Sequence, residues 1–511
     1  MIPGSTQIFG PPGCGKTETL MRLIEDRLNN GVSPHRITFV SFSRKSIQEA
    51  KDRAMERFGL DAKALPHFRT LHSTGFVALG LSYGDVLSGP DYRALGKMLG
   101  EEFNMNVRPE DGVLLPTDLK RGSKYIQIID RARYRMIPLE QEWKDHDTHD
   151  ISLFKAKQIA DQIVEYKTKL GKVDYVDMIE LYVKTVEVAP TTVLIVDEAQ
   201  DLTPLQWEMV KKMAEFAEEV WLAGDDDQAI HRWTGVDVKQ FINMSPSRIV
   251  LDQSYRLPKK IFDVGERIVK RIKDRVPKYY RPTSEEGRVT WHYDLESVPL
   301  DRGSWTIMGR TNAIVMDMAA EVQRMGYYYS VKGSPPISAA QARAIQTWRE
   351  LCNGAKVDLH LIKELYDLVP KQGDKAVVRR GAVRLLESVS PDDTLSLTQL
   401  EQEFGMIPQG DLLGRPDAFE VLNLGNDMRL YLNHIEASGE DITKPPRIKL
   451  STFHAMKGGE DDNCIVNLAT TKTCAESRFP DDEHRAFYVG VTRARKELHL
   501  VDTNRRYNYP L

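Results

Sequence analysis

Residues 8–17 read IFGPPGCGKT. Ile8 and Phe9 end a short apolar run, and Gly10, Gly15, Lys16 and Thr17 then complete the pattern G-x-x-x-x-G-K-[ST], with residues 18–29 helical in composition behind it. The chemistry explains the spacing. Glycines let the backbone curl so that N–H groups point inward at phosphate oxygens, while the start of the following helix adds partial positive charge. The expected nucleotide cradle is Gly10, Pro11, Pro12, Gly13, Cys14, Gly15, Lys16, Thr17 and Glu18. Lys16 would reach the β- and γ-phosphates, and Thr17 would hold Mg²⁺ through its hydroxyl.

A phosphate loop needs a partner before it becomes a hydrolysis site. Residues 193–202, VLIVDEAQDL, supply one: four apolar residues suit a strand buried on both faces of a parallel sheet, and Asp197 and Glu198 follow where it ends. Ligands in open α/β sheets sit at the carboxyl ends of strands, so both acids are expected to face the loop. Asp197 is placed to bind Mg²⁺ through water, and Glu198 to orient and deprotonate the attacking water.

Outside these stretches, composition is that of an ordinary globular protein: 511 residues, 41% hydrophobic and 28% charged. A formal net charge of −4 argues against bulk attraction to nucleic acid, so any such binding rests on local patches and stacking. The four cysteines (Cys14, Cys352, Cys464, Cys474) form no C-x-x-C pair, which points to a reducing compartment without a zinc site or disulfide framework. No leader and no bilayer-length apolar run are read, so the expectation is a cytoplasmic protein with no membrane partner.

Residues 36–42 form a second buried-type strand before a helix at 46–58, the βαβ unit of a parallel α/β sheet. Phe42 suits either a core aromatic or a base contact; Arg44 and Lys45, at the strand's carboxyl end, suit a phosphate backbone. From residue 82 to 172 the α/β pattern lapses into helices, the mark of an inserted subdomain. Within it, residues 118–136 carry six Lys/Arg against Asp118 and Asp130, either a solvated helix face or a phosphate-tracking surface. A strand at 220–223 then empties into Asp225, Asp226, Asp227 and Gln228, with Gln228 read as a γ-phosphate sensor. Trp233 lies just beyond and is either core or a platform for a base. Residues 256–281 hold ten Lys/Arg against three acids, again either a solvated face or a backbone-tracking surface.

GPPGCGKT, VDEAQD, GDDDQAIHRW, QSYR (253–256), TFHAMKGGE (452–460) and YVGVTRA (488–494), in that order, resemble the motifs of the UvrD/Rep/PcrA-type helicases of superfamily 1A. The resemblance implies an α/β fold of two RecA-like P-loop motor domains, each with an inserted mainly helical subdomain. By that reading the first motor domain spans residues 1–81 and 173–256 around an insertion at 82–172. The second spans 257–353 and 447–511 around an insertion at 354–446. Strands expected in it are 288–292, 305–308 and 464–467.

The resemblance also assigns roles. Lys16, Glu198, Gln228, Arg256 and Arg493 form its catalytic set, the two arginines closing on the γ-phosphate. Tyr255 resembles the residue that stacks on adenine, and Glu460 the one that bonds the nucleotide sugar; Thr17 and Asp197 hold the metal. Phe42, Arg44, Thr70, His72, Trp233 and His454 fall in blocks that resemble single-strand contacts. Cofactors implied are ATP and Mg²⁺. Partners implied are single-stranded DNA, single/double-strand junctions and accessory replication or repair proteins, with the chain a monomer or weak dimer. The activity implied is 3′→5′ translocation with duplex unwinding; the alternative is a translocase that displaces bound proteins with little unwinding, and a phosphate-loop small-molecule kinase is the reading from another class.

Three departures stand out. Nine residues precede Gly10, so the family's adenine-reading glutamine helix is expected to be missing, and Gln7 sits too near the loop to be expected to replace it in the same geometry. His231 and Thr234 stand where the family has tyrosine and arginine, which is expected to remove a contact. Gly459 replaces a bulky aliphatic residue and is expected to loosen packing; the short stretch after Ala494 is expected to leave no room for an appended nuclease.

Overall fold

The apolar run ahead of the phosphate loop forms the strand Thr6–Phe9, and its alternation decides what lies on either side of it. In the computed structural model, which describes residues 1–106, 115–116, 121–145, 151–409, 417–503 and 505–511, Ile8 points to one core and Phe9 to another. Phe39 and Val40 divide in the same way, as do Ile195 and Val196. Both faces are therefore covered, as a parallel sheet requires. Helices Lys16–Asn29 and Arg44–Phe58 bury Leu20, Ile24, Ala50 and Ala54 on the first face. Helices Tyr175–Thr185 and Pro204–Ala214 bury Ile179, Trp207 and Val210 on the second.

The first sheet has six strands in the order Phe68–Thr70, Ile37–Ser41, Thr191–Asp197, Ala217–Gly224, Thr6–Phe9, Ser247–Val250, and every pairing is parallel. Ser41 pairs with Asp197 and Phe9 with Gly224, so the loops that carry the sequence motifs leave the same edge of the sheet. Expected elements recur with shifted ends. The helix read at 46–58 begins at Arg44 because the Ser43 hydroxyl accepts the Ser46 N–H at 3.1 Å and caps it.

The chain divides into two compact units, residues 1–287 with 477–492 and 511, and residues 288–476 with 493–510. The second has its own six-stranded parallel sheet, in the order Tyr329–Val331, Ile448–Thr452, Trp305–Gly309, Asp461–Asn467, Ala494–Val501, Arg288–His292. These are two parallel-sheet α/β domains. Among the described residues, no helix is long and apolar enough to cross a membrane.

The boundary read at residue 257 differs from the division at 287. Helix Lys259–Val269 buries Ile261, Val264 and Ile268 within the first unit, and a side chain on its Gly265 would meet Tyr488 of helix Pro480–Val491 at 3.3 Å. The Tyr280 and Tyr488 hydroxyls lie 3.1 Å apart. The first insertion is helical, with Gly89–Leu99, Arg121–Tyr134, Leu139–Asp145 and Leu153–Leu170 closing over a core of Tyr92, Phe103, Ile126 and Ile159. In the second unit, helices Leu359–Leu368 and Asn426–Ala437 share one core with the sheet, Ile362 and Leu432 lying in the same cluster as Ile307 and Leu450.

Candidate functional site

At the edge where the first sheet's strands end, Gly13 and Gly15 adopt φ of 72° and 74°, the left-handed region that glycine enters without strain. Gly15 caps helix Lys16–Asn29 and turns the chain back over the strand end. Two glycines are dictated by space as well. A side chain on Gly10 would lie 1.9 Å from Lys16 Cγ, and one on Gly13 would lie 2.3 Å from Arg256 Cβ. Lys16 folds over the loop, its Nζ donating to the Gly10 carbonyl at 3.2 Å and standing 4.0 Å from Glu198 Oε1.

Asp197 ends its strand buried, and its carboxylate accepts the Glu198 N–H at 2.9 Å. Burial, reinforced by the adjacent Glu198, pushes it up to about 7. Glu198 itself has φ 52°, a left-handed conformation that costs a non-glycine residue about 1–3 kcal/mol and is concentrated at functional sites. Its Oε2 accepts from Gln200 Nε2 at 2.6 Å. Gln200 Oε1 in turn accepts the Asp225 N–H at 2.9 Å, and Asp225 Oδ2 accepts from Gln228 Nε2 at 2.7 Å. A continuous hydrogen-bonded path therefore joins Glu198 to Gln228. Gly224 is required for it, since a side chain there would strike Gln200 Oε1 at 2.4 Å. The sequence reading passed over Gln200, although it lies inside VDEAQD.

The segment QSYR docks onto the loop. Ser254 Oγ donates to the Pro12 carbonyl at 2.8 Å, and the Tyr255 N–H donates to the Gly13 carbonyl at 2.8 Å. The Tyr255 ring passes 3.9 Å from where a side chain on Gly15 would begin, yet is 76% exposed, leaving its face open beside the cradle. The side chains of two expected cradle members are engaged within the protein. Glu18 is turned to Arg22 and Arg57 at 2.8 and 3.0 Å, and those hydrogen bonds hold it below the usual carboxylate range. Cys14 is buried, and burial pushes its thiol up to about 12, so it is a packed, protonated side chain. Gln7 is fully buried and donates to the Phe241 carbonyl at 2.7 Å, within the core.

The acids 225–227 are neutralised from the run at 256–281. Lys278 Nζ lies 3.1 Å from Asp225 and 2.8 Å from Asp227 and also bonds Asp226; Arg275 grips Asp227 at 2.7 and 2.8 Å. Asp226 remains pushed up to about 6, by burial first. Arg281 pairs with Asp252 at 3.1 Å. Arg275 and Lys278 are therefore committed to buried carboxylates rather than to a solvated or backbone-tracking face, whereas Arg281 and Asp252 pair on the solvated surface. The basic span at 118–136 is corrected likewise. Arg131 is buried against Glu142 at 2.8 Å, Arg133 bonds Asp174, Asp177 and Glu180, and Arg135 pairs with Glu142 and Asp145. Asp118 and Lys120 lie outside the described residues.

Expected strand contacts separate into two groups. Phe42, His231 and Trp233 form a half-buried row, with Phe42 stacked on His231 at 5.5 Å and His231 edge-on to Trp233 at 6.2 Å. His231 thus retains a ring where the family has tyrosine. Arg44 is exposed nearby in sequence. Thr70 and His72 are buried, and His72 lines a cavity between helix Leu71–Ala78 and helix Tyr175–Thr185. The Thr70 hydroxyl caps helix Leu71–Ala78 by accepting the Ser73 N–H at 3.2 Å. His72 is buried, bonds the Tyr134 hydroxyl at 3.1 Å and is pushed down to about 4 by desolvation, so it is a neutral side chain at pH 7.

In the second unit, Arg493 is 1% exposed and donates to the Gly459 carbonyl at 3.1 Å. Glu460 pairs with Arg495 at 3.3 Å, and His454 is half-buried. A side chain on Gly459 would meet Met456 Cε at 2.6 Å, so methionine fills the room expected to be loose.

Two family profiles match the chain: the UvrD/REP helicase N-terminal domain over residues 2–248 and the UvrD-like helicase C-terminal domain over residues 420–505. The ATP-dependent DNA helicase PcrA of Leuconostoc citreum is 22% identical over 626 residues, with 99% of this chain and 81% of the relative covered. PcrA of Bacillus subtilis is 22% identical over 618 residues, covering 98% and 81%. Among solved structures, the arterivirus nonstructural protein 10 helicase matches at 11% identity and a TM-score of 0.36, over 98% of this chain and 60% of its own length. At that score the likeness carries no weight for the fold.

Proposed function

The chain belongs to the UvrD/Rep helicase family, and on that premise we propose that it is an ATP-dependent DNA helicase that moves 3′→5′ along single-stranded DNA and separates duplex. The observation that carries the reading is the hydrogen-bonded path from Glu198 through Gln200 and Asp225 to Gln228 beside a glycine cradle closed by Lys16. Such a path would couple a water-orienting carboxylate to a phosphate-sensing amide, an arrangement suited to hydrolysing a nucleotide as well as holding it.

In this reading Lys16 binds the β- and γ-phosphates, and Glu198 orients the attacking water and takes its proton. Thr17 and Asp197 hold Mg²⁺, which supplies charge neutralisation of the phosphates; a buried Asp197 pushed up to about 7 fits a site completed by a cation. Tyr255, exposed beside Gly15, stacks on the base of ATP, and Glu460 bonds its sugar. Arg256 and Arg493 stabilise the charge that develops on the transferring phosphoryl oxygens. Phe42, His231 and Trp233 offer three ring faces to successive bases, and Arg44 and His454 serve the same strand. The domain boundaries implied by the family remain part of this proposal.

The test is ATP-dependent strand displacement on matched duplexes with a 3′ or a 5′ single-stranded tail, with Glu198→Gln as the inactive control. Displacement from the 3′ tail alone is expected. Displacement from the 5′ tail refutes the polarity. No displacement from either, with strand-stimulated ATP hydrolysis intact, refutes unwinding and favours displacement of bound proteins.

A further inference from the structure

We propose that a cavity beside Arg44 receives one nucleobase of the bound single strand, at a place separate from the Phe42, His231 and Trp233 rings; this rests on the reading that the chain binds single-stranded DNA. The cavity measures about 270 Å³ and lies wholly within the first unit, between helix Leu71–Ala78, the start of helix Gly89–Leu99 and the start of helix Tyr175–Thr185. Its volume falls just below that of sites enclosing drug-sized ligands, so it admits one base and not several.

The lining is that of a base site. Met178 forms an apolar floor, Phe76 and Tyr83 stand as a tilted ring pair with centroids 5.4 Å apart, and Arg44, Ser88 and Tyr175 supply polar groups. Tyr83 is 75% exposed, an aromatic face presented to solvent at the edge of a cavity. It is held there rather than hanging loose. Asp85 Oδ2 accepts both the backbone N–H and the hydroxyl of Ser82 at 2.7 Å, fixing the turn that carries Tyr83, and the Leu87 N–H donates to the Val173 carbonyl at 2.9 Å. The floor is equally fixed. Gly75 lets helix Leu71–Ala78 approach Met178 so closely that a side chain there would meet the Met178 carbonyl at 3.2 Å.

The occupant follows from chain continuity. Arg44 lies two residues beyond Phe42, at most roughly 7 Å away between Cα atoms, so a strand stacked on Phe42 brings its next phosphate to Arg44. A guanidinium there binds phosphate while the attached base turns into the cavity, between the Tyr83 ring and the Met178 floor.

The experiment titrates the full chain with short oligothymidylates carrying one abasic residue at each successive position, using wild type, Tyr83→Ala, Tyr83→Phe and Trp233→Ala. At one position, base removal is expected to weaken binding to wild type and Tyr83→Phe about five- to a hundredfold. At that position Tyr83→Ala is expected to be insensitive, its pocket contact being already lost, while Trp233→Ala keeps the sensitivity. An abasic profile of Tyr83→Ala identical to wild type, with strand binding intact, overturns the pocket and leaves the helicase reading standing. Tyr83-dependent capture of free thymidine monophosphate together with that identical profile assigns the cavity to a small ligand and likewise overturns it. Failure of wild type to bind any oligonucleotide sinks the helicase reading, and the pocket with it.

Discussion

Lys278→Met removes the one ammonium shared by three buried carboxylates while keeping a side chain of similar length. Lys278 is 1% exposed, and Asp225, Asp226 and Asp227 are each at most 1% exposed. Arg275 still pairs with Asp227, so Asp225 and Asp226 are left without a cation. Breaking a buried pair by removing one partner costs about 3–5 kcal/mol, because the remaining charge has neither water nor counter-ion. For a unit of this size that corresponds to a fall of roughly 6–10 °C in its melting temperature. The loss should also depend on pH in a definite direction. Asp226 is already pushed up to about 6 with Lys278 present, and Lys278 is the strongest influence holding it down. Without the lysine its folded pKa rises further above its unfolded one, so the folded state binds more protons than the unfolded state, and stability falls as pH rises. Melting followed by tryptophan fluorescence should therefore show a larger deficit for the variant at pH 8 than at pH 5. A deficit equal at both pH values, or below about 1 kcal/mol, would refute the idea that the lysine holds a desolvated acidic cluster together.

Other perturbations follow from the same geometry. Gly13→Ala places a methyl 2.3 Å from Arg256 Cβ at φ 72°, so nucleotide binding measured with a fluorescent ATP analogue should be lost while the far-ultraviolet dichroism stays native; unchanged affinity would show that QSYR does not close the cradle. His72 is pushed down to about 4, below its unfolded value, so the unfolded state binds the extra proton between roughly pH 6.5 and 4 and wild type should lose about 3 kcal/mol over that window. His72→Phe should flatten that limb of the urea-midpoint against pH curve, and an unaltered limb would mean that another group is responsible. Trp233→Ala should weaken oligonucleotide binding by roughly 1–3 kcal/mol in a fluorescence anisotropy titration, and no change would return Trp233 to a packing role.

Much of the site can be read from the chain because its chemistry is local. The curl of residues 10–15 and the strand of apolar residues ahead of Asp197 each depend on neighbours within a few positions, and both stand in the structure at or near the residues expected. Charge gave no such guidance. The runs at 118–136 and 256–281 look alike as lists of lysines and arginines, and nothing within either run tells a solvated face from an interior ion pair. Arg131 meets a glutamate that the helix Leu139–Asp145 brings to it, and Lys278 meets acids 51–53 residues earlier in the chain. A lone histidine is equally mute: His72 lies in a strand-contact block by resemblance, and only the folded chain shows its ring packed with Tyr134 and Tyr175, from elements far along the chain, at the wall of a cavity.

That a phosphate loop leaves the end of one buried strand, and that Asp197 and Glu198 leave the end of another, is legible in the chain because apolar runs and glycine spacing are properties of short segments, whereas the second parallel sheet is expected from the resemblance of the ordered motifs to a two-lobed family. That Gln200 joins Glu198 to Asp225 and that Lys278 turns inward emerges with folding alone, because both depend on which distant strand ends the sheet order places side by side and on which charges that order removes from water.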